Sequence, residues 1–127
     1  MLNSESEIRD ICLRKPREGE GLAIHKLIEA NPPLDVNSVY SYYLLSRHFS
    51  DTCVVAEFQG EVVAFLSAYI IPNRPDTLFV WQVVVDPAMR GKRLAGLMLG
   101  ALLTMTGMLV ADILYAWADP RVRFRQR

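Results

Sequence analysis

Pro75-Asp76-Thr77-Leu78-Phe79-Val80-Trp81-Gln82-Val83-Val84-Val85-Asp86-Pro87-Ala88-Met89-Arg90-Gly91-Lys92-Arg93-Leu94-Ala95 is the stretch that decides the fold. Thr77 to Val85 is a nearly unbroken apolar run rich in β-branched and aromatic residues, which predicts a buried strand. Asp86-Pro87 stops it, because proline has no N–H to donate to a ladder. A basic turn containing Gly91 then opens a long apolar segment with helical character. The first N–H groups of a helix have no partner inside it, and the helix dipole places positive charge at that end. A strand feeding such a turn is therefore an anion site suited to a pyrophosphate.

Upstream, Ile8 to Leu13 predicts a short first strand ended by Pro16. Glu18 to Ala30 carries Leu22, Ile24, Leu27 and Ile28 near one helical face, and Asn31-Pro32-Pro33 terminates it. Asn37-Ser38 reads as the N-cap of a second helix running through Tyr42, Leu44, Leu45 and His48. Cys53 to Glu57 and Glu61 to Ile70 flank Gln59-Gly60, the pattern of a hairpin. Ile71 to Asp76, with two prolines, predicts a loop before the strand at Thr77. The expected order is β-α-α-β-β-β-α.

At 127 residues, half of them hydrophobic, the chain is one domain with a sizeable core. Fourteen basic and fourteen acidic residues cancel, so no global field favours nucleic acid, although four arginines crowd positions 121–127. Cys12 and Cys53 lack metal-ligand spacing and read as buried thiols, and no metal is expected. His25 and His48 fall on helical patterns and read as packing or surface residues. The polar, acidic start has no secretory signature, so a cytoplasmic protein is the default. Leu94 to Ala111 is uncharged for eighteen residues and has a G-x-x-x-G spacing, so a membrane segment is an alternative to a core helix. As a core helix it would set Leu94, Leu97, Met98, Ala101 and Leu102 on the sheet.

The strand, the Asp-Pro stop and the Arg-Gly turn together resemble the acetyl-CoA site of the GNAT N-acetyltransferases. Asn31-Pro32-Pro33-Leu34-Asp35-Val36-Asn37-Ser38, Asp51-Thr52-Cys53 and Pro75-Asp76-Thr77-Leu78-Phe79-Val80-Trp81-Gln82-Val83 resemble more narrowly the diaminobutyrate acetyltransferases of ectoine biosynthesis. The likeness covers residues 11–103; the domain reading takes 8–103 as family-like and 104–127 as an atypical tail. It implies an α/β, GNAT-like acyl-CoA N-acyltransferase fold, a mixed central sheet flanked by helices and incomplete at the C-terminus. It also implies acetyl transfer from acetyl-CoA to the side-chain amine of L-2,4-diaminobutyrate, a compatible-solute precursor step, in a cytoplasmic homodimer without nucleic acid.

On this resemblance, Arg90, Gly91, Lys92, Arg93, Leu94 and Ala95 would hold the pyrophosphate, with Val83 and Val85 offering backbone N–H groups to the pantetheine and the thioester oxygen. Asp35, Asn37, Tyr40 and Trp81 would contact substrate, Asp35 at an ammonium and the rings by cation–π attraction. Asp35 could instead be a turn residue, and Tyr40 and Trp81 core aromatics. Glu57 is a candidate base. Arg93 stands where the family pattern has glycine, so its side chain would either crowd the backbone's approach to phosphate or add a charge contact to it. The family's fifth strand is missing after Leu103, and Tyr115 is the only late tyrosine. Those departures suggest a truncated, frame-shifted or divergent copy, with an inactive CoA-binding or partner-binding remnant and a membrane-tethered fragment as alternatives.

Overall fold

The computed structural model describes residues 10–107. Three helices and four strands follow in the order β1 (Cys12–Arg14), α1 (Gly21–Glu29), α2 (Val39–Arg47), β2 (Cys53–Phe58), β3 (Glu61–Ile71), β4 (Arg74–Val85) and α3 (Leu94–Thr106). The strands form one sheet in chain order, each pair antiparallel. A mixed sheet would require a strand parallel to a neighbour, and none lies among the described residues. Among the described residues β4 is therefore an edge strand.

Both faces of the sheet are covered, which explains why its strands read as continuous apolar runs instead of alternating ones. Cys53, Val55, Phe65 and Val84 point to one face, under Ile24, Leu27 and Ile28 of α1 and Tyr42 and Leu45 of α2. Val54, Ala56, Ala64, Leu66 and Ala68 point to the other, under Leu94, Met98 and Leu102 of α3 and Met89. The buried spacing of four along α3 is one helical stripe. Leu97, expected on that stripe, is 43% exposed, because it lies about a quarter of a turn off the line through Leu94 and Met98. α1 and α2 approach closely where Gly21 meets Tyr43: a Cβ at Gly21 would sit 2.7 Å from the Tyr43 backbone nitrogen.

Several boundaries differ from expectation. α1 begins at Gly21, not Glu18, because the turn before it is organised by Glu20. The Ile71–Asp76 stretch is not a loop: only Pro72-Asn73 separate β3 from β4, and Ile71 pairs with Arg74. Pro75 is tolerated there because an edge strand can turn an N–H position away from the ladder. Cys12 is exposed, not buried. Cys53 is buried, and burial pushes its thiol up to about 11. α3 ends at Thr106, with Gly107 closing it in the left-handed region at φ 76°. Residues 108–111 of the eighteen-residue segment, the arginine cluster and Tyr115 lie outside the described residues. No helix of the described residues is long and apolar enough to cross a membrane.

One ion-pair group closes the far edge. Arg14 donates to both carboxylate oxygens of Glu20, at 2.8 and 2.7 Å, and to Glu57 Oε1 at 2.8 and 3.3 Å. The Arg14 guanidinium holds the Glu20 carboxyl below its ordinary value near 4.5, against the opposing effect of burial. A carboxylate depressed in the folded state contributes stability above its unfolded pKa and loses it as pH falls through the folded value. Glu20→Gln should therefore destabilise the protein most at neutral pH. Its deficit in melting temperature should shrink steadily below about pH 4.5. A deficit independent of pH would assign Glu20 a purely steric role.

Candidate active site

The free edge of β4 is the first component. The Gln82 N–H faces β3, donating to Ser67 Oγ at 3.2 Å, and the Asp86 N–H reaches Val63 O at 2.8 Å. N–H direction alternates along a strand, so the N–H groups of Val83 and Val85 face the open edge. The Val85 carbonyl faces the same way and accepts from Arg90 Nε at 3.1 Å. Two donors two residues apart on an open edge can bind an extended amide-bearing chain by strand-like hydrogen bonds.

A bulge sits just upstream. Ser67 pairs with Gln82 but Ala68 pairs with Val80, so Trp81 is the extra residue. Bulges re-aim a side chain and bend the strand. Here Trp81, 39% exposed as a residue, stacks on Tyr42, ring centroids 6.4 Å apart and planes 15° from parallel. His25 meets the same tyrosine edge-on at 5.8 Å.

Gln82, at 7% exposure, ties these parts to the loop before α2. Its Oε1 accepts from Tyr42 Oη at 3.1 Å, and its Nε2 donates to the Asp35 carbonyl at 2.7 Å. The Asn37 N–H in turn donates to Tyr42 Oη at 3.2 Å. The loop carrying Asp35 and Asn37 is thus held beside Trp81 by backbone bonds, with the Asp35 side chain exposed. Ser38 caps α2 as expected, its hydroxyl accepting from Ser41 N.

The structure ties the backbone at Asp35 and Asn37 to Gln82 and Tyr42, next to Trp81 on the strand and against its ring, but not every expected residue joins them. Tyr40 is 67% exposed; the ring behind Trp81 is Tyr42, two residues on, because the inward stripe of α2 passes through Tyr42 and Leu45. Glu57 is engaged by Arg14 at the opposite edge of the sheet, on the strand that pairs with β1. Trp81 is also one wall of a groove of about 740 Å³ between α2 and the β3–β4 hairpin, lined by Ser41, Leu44, His48, Tyr69 and others, but not by Asp35, Asn37 or Tyr40. Gln82 and Tyr42 were missed as organising residues. Their sole signal in the sequence is one polar side chain inside an apolar strand and one tyrosine on an apolar helical stripe.

The basic turn forms the last component. Gly91 has φ 82° and Arg93, the N-cap of α3, has φ 59° and ψ 26°. A left-handed position favours glycine, which gives the turn a conformational reason for glycine at 93 beyond the crowding of phosphate. Leu97 N bonds Arg93 O at 3.1 Å, so the helix begins immediately and the N–H groups of its first turn, Leu94 to Gly96, have no acceptor within it. Together with the β4 edge, this chemistry fits a pantetheine chain ending in a pyrophosphate. Arg93→Gly should relieve about 1–2 kcal/mol of left-handed strain. Roughly 0.5–1 kcal/mol of that is offset by glycine's greater unfolded freedom. A melting temperature at or slightly above the parent's is expected, together with tighter CoA binding by calorimetry; unchanged affinity would refute crowding by the Arg93 side chain.

Comparison with known proteins points to one family. The sequence model of the acetyltransferase (GNAT) family matches residues 21–107. The L-2,4-diaminobutyric acid acetyltransferase of Bordetella parapertussis is 54% identical over 92 residues, covering 72% of this chain and 50% of that protein. That of Methylotuvimicrobium alcaliphilum is 48% identical over 103 residues, covering 81% and 60%. Among solved structures, the diaminobutyrate acetyltransferase EctA from Paenibacillus lautus, in complex with its substrate L-2,4-diaminobutyric acid and coenzyme A, superposes with a TM-score of 0.72 at 42% identity, covering 73% of this chain and 56% of that one. The chain spans about half to three fifths of the length of these relatives. With a family match over most of the described residues and a strand edge and helix turn of the matching chemistry, the chain belongs to the GNAT acetyltransferase family.

Proposed function

We propose that this chain transfers the acetyl group of acetyl-CoA to the side-chain amine of L-2,4-diaminobutyrate, giving the N4-acetyl product that leads to ectoine. The observation that carries the reading is the convergence, through Gln82, of the open β4 edge, Trp81 and the Asp35–Asn37 loop. Similarity to proteins named for this activity, one of them bound to both ligands, supports the choice of substrate.

Acetyl-CoA supplies the activated acyl group, and the protein supplies orientation and charge stabilisation. The N–H groups of the α3 first turn, with those of Gly91 and Arg93 before it, hold the pyrophosphate, the Arg90 N–H being given to the Pro87 carbonyl, and the Val83 and Val85 N–H groups align the pantetheine. The substrate is a zwitterion with a second ammonium. The Asp35 carboxylate and the exposed face of Trp81, backed by the buried Tyr42, offer it a carboxylate contact and cation–π attraction, with Asn37 on the same loop and Tyr40 in the first turn of α2 that follows it. The reacting amine, with an ordinary pKa near 10, must release its proton to water before attack. As the nitrogen bonds to the acyl carbon, negative charge grows on the carbonyl oxygen and the Val83 N–H stabilises it. The C–S bond then breaks as the nitrogen gives up its second proton to water, leaving a neutral amide, and CoA leaves as thiolate and is protonated by solvent. Glu57 takes no part, because its carboxylate is committed to Arg14. We place the enzyme in the cytoplasm as a homodimer serving osmoprotection.

The test is direct. Purified chain, acetyl-CoA and L-2,4-diaminobutyrate should release CoA thiol and yield a singly acetylated product by mass spectrometry. CoA binding without thiol release would mark the chain as a binding domain instead, and release with other diamines but not this one would overturn the substrate.

A further inference from the structure

The Arg90 side chain does not extend toward the turn whose backbone is suited to phosphate. It folds back across the molecule: Nη2 donates to Asn31 Oδ1 at 3.0 Å while Nε holds the Val85 carbonyl at 3.1 Å. Asn31 is 4% exposed and is hydrogen-bonded through both its amide oxygen and its amide nitrogen. Its Nδ2 donates to Leu27 O at 2.7 Å, and its own carbonyl accepts from Leu34 N at 3.3 Å. The amide orientation is unambiguous, since a flipped Asn31 would set its NH₂ against the guanidinium and its oxygen against a carbonyl.

Asn31 is the first residue of the segment that carries Asp35 and Asn37, and Arg90 is the first residue of the turn that leads into α3. That segment is therefore gripped twice from the β4 side: at Asn31 by Arg90, and at Asp35 by Gln82. We infer that the Arg90–Asn31 pair couples the cofactor turn to the substrate loop, so that Asn31 is a positioning residue for both and each ligand tightens the binding of the other. The inference rests on the substrate and cofactor reading above. Its physical basis is that a buried amide oxygen with one donor loses its only protein partner if the turn shifts, so both elements move together or not at all. Such coupling must be reciprocal.

The experiment is calorimetric titration of the full chain with CoA, with L-2,4-diaminobutyrate, and with each at saturation of the other. Asn31→Leu, Arg90→Leu, the double variant and Asn31→Asp are compared, each checked for folding by circular dichroism. In the parent, either ligand should tighten the other by about tenfold, inside the 5–150-fold range usual for coupled sites. Asn31→Leu and Arg90→Leu should each reduce the factor below about two, and the double variant should add nothing, because the two act as one unit. Asn31→Asp should preserve the coupling, since its carboxylate still accepts from Arg90 although Leu27 O loses its donor. A purely structural role for Asn31 would leave the coupling factor unchanged while lowering melting temperature, and that result would overturn the inference. Should the parent bind no diaminobutyrate, the substrate reading fails by itself. The inference is then decided on CoA alone: weakened affinity in Asn31→Leu, restored in Asn31→Asp, sustains it, and unchanged affinity ends it.

Discussion

Replacing Val83 by proline is expected to slow acetyl transfer by about 10²–10³-fold, the loss of roughly 2.7–4 kcal/mol seen when one oxyanion donor is removed. The substitution deletes an N–H and little else. That N–H faces the open edge, so no bond to β3 is lost, and Gln82 before it already has the extended backbone that a pre-proline residue requires. The melting temperature should change little. Val84→Pro supplies the contrast: its N–H faces β3, and removing it should cost about 3 kcal/mol of stability by breaking the ladder. Equal destabilisation by both prolines would show that the edge assignment is wrong. A stable Val83→Pro protein with the parent's turnover would show that the oxyanion is held elsewhere.

Gln82→Leu should do the second greatest damage, and to a different parameter. The leucine preserves volume in a buried position but leaves the Tyr42 hydroxyl without its acceptor and the Asp35 carbonyl without its donor. The buried Tyr42 hydroxyl so stranded costs about 1–3 kcal/mol, and the partly buried Asp35 carbonyl, which water can reach, costs less. The loop carrying Asp35 and Asn37 should loosen, raising KM for diaminobutyrate well beyond any change in KM for acetyl-CoA. Gln82→Glu keeps an acceptor for Tyr42 but sets a carboxylate against the Asp35 carbonyl, so it should restore stability poorly. Parallel rises in both KM values would mean that Gln82 supports β4 as a whole instead of the substrate loop.

Both substitutions act on groups that local pattern reading does not isolate. Val83 is one of three consecutive valines, and only the register with β3 tells which N–H groups are spare. Gln82 is one polar residue in a strand, and its partners are 40 and 47 positions away in sequence. Tyr40 and Tyr42 are equally plausible by composition; the helical phase set by Leu45 sends Tyr42 inward and leaves Tyr40 in solvent. The Ile71–Asp76 stretch reads as a loop because two prolines punctuate it, yet pairing along the β3–β4 hairpin extends the strand through Pro75. Arg90 reads as a phosphate ligand because it stands in a basic turn, and its folded-back side chain is visible only once Asn31 is beside it.

What the sequence determined by itself is what depends on neighbours along the chain. It set a strand ended by Asp86-Pro87, a turn that exposes the amides of a helix start, a capped second helix at Ser38, and apolar runs long enough for a sheet covered on both faces. These gave an anion site suited to a pyrophosphate, and the resemblance carried by the same residues implied the fold family and acetyl-CoA. Tertiary structure decided the placement of groups: the bulge that turns Trp81 onto Tyr42, the outward N–H of Val83, the Gln82 bridge, the removal of Glu57 to Arg14, and the Arg90–Asn31 contact. These are matters of register and of contacts between distant residues, where a shift of one position reverses which way a group points. Propensity and spacing do not encode that sign; the packing of two helices on one face of the sheet and one on the other does.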